Sequence, residues 1–63
     1  MTELQRMYND MLVTLEKGIS DLEKFEDGNM SAGTRVRKTM QTVKELAQKT
    51  RVAVQEQKNA VAA

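Results

Sequence analysis

Cysteine, histidine, proline and tryptophan are all absent from this 63-residue chain. Without cysteine there are no disulfides, and the chain suits a reducing cytoplasm. Without histidine as well, the usual structural zinc sets are excluded, and so are the commonest catalytic base and the thiol nucleophile. No glycine-rich phosphate loop follows a strand pattern, so the chain reads as non-enzymatic, with no cofactor and no metal. Carboxylate metal sites in helical bundles usually pair glutamate with histidine, which is missing. The only aromatics are Tyr8 and Phe25. Both fall on an apolar helical stripe, which leaves no platform for stacking bases and argues against single-strand or sequence-specific recognition. The longest apolar run is Met11-Leu12-Val13, far short of a membrane span. The start, MTELQRMYND, carries charges where an export signal needs an apolar core. No membrane partner is expected.

What is present is helix-forming. Glu, Lys, Gln, Leu, Met and Ala dominate, and no proline interrupts them. Thr2-Glu3-Leu4-Gln5 has the form of a capping box that starts a first helix over about residues 2–27. Leu4, Tyr8, Met11, Leu15, Leu22 and Phe25 recur in helical steps, with Gly18 at the missing position. Met7, Leu12 and Ile19 widen this stripe, as suits a helix with more than one neighbour. The five methionines read as gap-filling core. Asp27-Gly28-Asn29 breaks the pattern near residues 27–30. Gly28 can take the left-handed conformation that ends a helix, and Asn29 or Ser31 can cap the next. A second helix over about 31–60 carries a seam of Gly33, Val36, Met40, Val43, Ala47, Thr50, Val54, Gln57 and Val61, flanked by Leu46. Its last turns, with Ala60, Ala62 and Ala63, are expected to project or fray.

The expected fold is therefore all-α: one domain, 1–63, an antiparallel hairpin of two long helices. So short a chain buries only about 60% of its unfolded surface as a monomer. With disulfides and metals excluded, pairing of hairpins remains as the route to a core. A twofold dimer forming a four-helix bundle or coiled-coil oligomer is expected. Its self-association core would comprise Tyr8, Met11, Leu15, Leu22, Phe25, Val36, Met40, Val43, Leu46 and Val54.

The net charge is +1, but it is unevenly distributed. Residues 1–28 carry three basic and seven acidic side chains, and residues 29–63 carry seven basic and two acidic. Arg37, Lys44, Arg51 and Lys58 follow one another seven apart and form a basic column, while Arg35, Lys38 and Lys49 lie further round the helix. Two readings stand side by side. The cations can pair with Asp21, Glu23 and Glu26 as the chain returns past them. Alternatively, they can track phosphates of double-stranded DNA and release its counterions.

The turn itself, GNMSAGTRVRK at residues 28–38, followed by TMQTVKELAQKTRVAVQEQK, resembles the bacterial linker-histone-like family, small nucleoid proteins of the chlamydial type. A Gly-Asn turn, a small Ala-Gly segment and an Arg-x-Arg-Lys run carry the resemblance, which covers about residues 22–58. It implies a self-associating helical hairpin that binds DNA without sequence preference and contributes to compaction in the bacterial nucleoid. The positions it carries over are Gly28, Asn29, Ala32, Gly33, Arg35, Arg37 and Lys38. Chlamydial members have a long Lys- and Ala-rich tail, whereas this sequence ends EQKNAVAA, so it resembles the short, tailless form. The expected function is that of a histone-like DNA-binding protein in the cytoplasm. The alternative is a helical subunit of a larger protein assembly, such as a virion, with no DNA binding of its own.

Overall fold

The computed structural model describes residues 1–62; Ala63 lies outside it. Two α-helices, α1 (Glu3–Glu26) and α2 (Met30–Ala62), fold back on each other as a hairpin about 53 Å long. The start of α1 is the capping box. The Gln5 amide donates to Thr2 Oγ1 at 3.1 Å, and the Thr2 amide donates to Gln5 Oε1 at 2.9 Å. Two otherwise orphaned donors are thereby satisfied.

The turn closes by two linked caps. Gly28 sits at φ +104°, a backbone region costly for any residue with a Cβ. Its amide donates to the Phe25 carbonyl at 3.0 Å, and the Asn29 amide donates to the Lys24 carbonyl at 2.9 Å. This pair of bonds is the Schellman arrangement at the end of α1. Asn29 then caps α2, because its Oδ1 accepts from the Ala32 amide at 3.2 Å and from Ser31 Oγ at 2.8 Å. Of the two capping candidates, Asn29 holds the role.

The helices meet through a mixture of apolar, small and polar residues. Half-buried positions on α1 step through Leu4, Met7, Met11, Thr14, Gly18 and Asp21. On α2 they step through Val36, Thr39, Val43, Leu46, Thr50 and Ala53, and Ala32 is fully buried near the turn. A Cβ on Gly18 would lie 3.2 Å from Thr39 Cγ2, and one on Gly33 would lie 2.7 Å from Phe25 Cδ1. The missing side chains are what let the helices approach closely at these two levels.

The residues expected to form the self-association core divide between two sides of the hairpin. Met11, Val36, Val43 and Leu46 are half-buried between the helices, whereas Tyr8 is 63% exposed and Leu15, Leu22, Phe25, Met40 and Val54 are also exposed in the single hairpin. One broad stripe on α1 is in fact two. Leu4, Met7, Met11, Thr14, Gly18 and Asp21 face α2, and Leu12, Leu15, Ile19 and Leu22 line the open side. Two helices in contact cover only one seam each, and the glycines select the seam that allows the closer approach.

Removing either cap tests the turn. Asn29→Ala is expected to cost about 1 kcal/mol, and Gly28→Ala roughly 1–3 kcal/mol through backbone strain. Both are read from urea unfolding by circular dichroism at one fixed protein concentration.

Candidate nucleic-acid interface

All seven sequence-selected cations, Arg35, Arg37, Lys38, Lys44, Lys49, Arg51 and Lys58, lie exposed on α2. They do not share one surface. Arg35 and Lys38 border a shallow depression with Thr14, Asp21 and Thr42. Lys49 borders another with Met7, Val52 and Glu56 on the same polar side. Arg37 instead lines a groove with Leu22, Phe25 and Met30, and Lys58 lines one with Leu4, Val54 and Val61. With the heptad spacing, these two ends place the column of Arg37, Lys44, Arg51 and Lys58 along the border of the apolar side.

Arg35 differs from the column. Its Nε donates to Asp21 Oδ1 at 2.8 Å, joining α2 to α1 just below the turn. The internal-pairing reading therefore holds for this residue. The pair offsets part of the penalty of placing cations at the positive end of a helix. Among the described residues the only other ion pair is Arg6 with Glu3 at 3.3 Å, within α1. Arg37, Lys44, Arg51 and Lys58 thus have no ion-pair partner within the described hairpin.

The column spans 21 residues, or about 32 Å at 1.5 Å per residue, with charges roughly 10 Å apart. That length is close to one turn of duplex DNA, about 34 Å. At the start of α2 the Ala32 amide is already engaged by Asn29. Among the described residues there is no cluster of three or more His, Cys, Asp or Glu side chains that could hold a metal. No described helix is long and apolar enough to cross a membrane.

The family model for histone H1-like protein Hc1 matches residues 5–60. The chain belongs to this chlamydial histone H1-like family. Membership spans both helices, whereas the resemblance legible in the sequence began only at residue 22. The family is non-enzymatic, in keeping with a chain that has neither histidine nor cysteine. No curated protein and no solved structure is significantly similar to the chain.

The Asp21–Arg35 pair is partly exposed, with side-chain accessibilities of 21% and 47%. Solvent screening limits its worth, so Asp21→Asn is expected to cost less than about 1 kcal/mol. A loss of several kcal/mol in urea unfolding would instead make this pair the main lock of the hairpin.

Proposed function

We propose that the protein is a self-associating, histone-like DNA-binding protein that holds duplex DNA through its phosphates, without reading sequence, and so contributes to compaction. Membership of a histone H1-like family supports the DNA-binding role. The observation that carries the site is the column Arg37, Lys44, Arg51 and Lys58, which is exposed and has no ion-pair partner within the described hairpin. Flexible cations in a straight line match a repeating phosphate backbone and lack the geometry to distinguish bases. The two aromatics form no stacking platform, since Phe25 lies against Gly33 and Tyr8 is 17 residues away along α1. A nucleoid location in a bacterial cytoplasm follows from this reading.

Self-association belongs to the same proposal. Ala32 is the only fully buried hydrophobic residue among the described ones, so a single hairpin has almost no core. The second reading, a helical subunit that binds only protein, draws on this same exposed apolar surface and on a net charge of only +1. DNA binding separates the two.

The test compares variants on unrelated duplexes at about 50 mM salt. Arg37→Gln, Lys44→Gln and Arg51→Gln together are expected to weaken binding equally on every sequence. They should also reduce the slope of log affinity against log salt by about 3, near 0.9 for each lost phosphate contact. Arg35→Gln, already engaged by Asp21, should have the smaller effect. If the triple variant binds like the parent, the column is not the DNA site. If the parent fails to bind at low salt, the protein-only reading replaces this one.

A further inference from the structure

The hairpin has two unlike faces. On one, Asp21 and Arg35 pair beside Thr14, Lys38 and Thr42. On the other, Leu12, Leu15, Ile19 and Leu22 of α1 meet Val36 and Met40 of α2 in one open groove. Ile19 is 52% exposed and Leu22 47%. Four of the five leucine and isoleucine side chains of α1 stand on this face, and the hairpin leaves them half in water. The outline of the hairpin, 53 by 19 Å, encloses about 1000 Å², the same order as the ~800 Å² each partner contributes to a standard stable interface.

The edges of this face carry opposite charge. Along α2 runs the basic column. Along the outer edge of α1 stand Glu16 and Glu23, seven residues apart, and Glu16 also borders the groove. Two copies can close the face in two twofold ways. With the axis across the helices, each helix lies on its own copy, and the basic edges run side by side. With the axis along the helices, α1 of one copy lies on α2 of the other, and acidic edges meet basic ones. Like charges in register disfavour the first.

Register favours the second independently. Within the hairpin, Gly18 stands level with Thr39, Asp21 with Arg35 and Phe25 with Gly33. An axis along the helices preserves height, so the same pairing of levels applies between copies. Glu16 then lies about three residues, or ~4.5 Å, along the bundle from the partner's Lys44. Because both columns repeat every seven residues, Glu23 has the same offset from the partner's Arg37.

We propose that a second copy of this chain covers the apolar face, related by a twofold axis parallel to the helices. The two turns then lie at the same end, and Glu16 and Glu23 face the partner's Lys44 and Arg37. This rests on the self-association reading above and adds its geometry. Such exposed pairs orient the copies more than they bind them. A phosphate can therefore still compete for the same cations.

The absence of native cysteine permits a direct test. Glu16→Cys and Lys44→Cys single variants are treated with a short bis-maleimide, alone and as an equimolar mixture, alongside sedimentation of the unmodified chain. The expected result is a covalent dimer from the mixture and little from either variant alone. In addition, Glu16→Lys should weaken dimerisation about tenfold, and Glu16→Lys with Lys44→Glu in one chain should restore it. Cross-linking by Lys44→Cys alone would overturn the arrangement. So would a mixture that does not cross-link although the unmodified chain sediments as a dimer. An unmodified chain that stays helical at 7.1 kDa up to about 100 µM would overturn self-association itself.

Discussion

Close approach between α1 and α2 near the turn is the constraint on which the rest of the structure depends. Ala32 is fully buried, Gly33 lies under the Phe25 ring, and Gly18 leaves room for Thr39. None of these residues contributes much apolar area. They draw the helices together near the turn, along a seam that continues through Met11, Met7 and Leu4 of α1. Leu12, Leu15, Ile19 and Leu22 are thereby left on the outside. A hairpin built this way is half of a hydrophobic core, and its open face follows from the choice of seam. The turn supports the contact through capping rather than burial. Gly28 ends one helix, and Asn29 begins the next within two residues.

Small and basic residues occur together at the turn for separate reasons. Ala32 and Gly33 serve the helix contact, while Arg35 serves the link to Asp21. Arg37 begins a column that the hairpin leaves without a partner among its described residues. Net charge is therefore a poor guide to this molecule. Its acids and bases are nearly equal in number, but on the polar side Arg35 is paired with Asp21, whereas no member of the column on the edge of α2 is paired within the described hairpin. In the dimer inferred here, the two columns run along opposite edges, so a duplex lying on one leaves the other free.

Much of the fold was legible in the sequence. The Thr2–Gln5 box, the Gly28 turn and the two periodic segments each depend on local chemistry, and each is where the spacing predicted. The division of the α1 stripe was not legible. Tyr8, Leu15 and Leu22 look as core-like as Leu4 and Met11, and hydrophobicity alone does not say which of them face α2. The signal that could have identified it is the registry of small residues, Gly18 opposite Thr39 and Gly33 opposite Phe25. That registry becomes visible only when the two helices are aligned about the turn. The candidate site was legible as a column by its seven-residue repeat. That the column borders the apolar side, with Arg35 and Lys38 on the other, needed the packing direction of α2.

The most direct measurement is the affinity of the unmodified protein for two unrelated DNA duplexes across a salt series from about 50 to 200 mM. Phosphate binding by a four-cation column predicts equal affinity for both duplexes and a steep common fall, with a slope near −3.6 per chain at about 0.9 per contact. Binding that hardly changes with salt, or that strongly prefers one sequence, would contradict the account. So would no binding at the lowest salt from a folded protein.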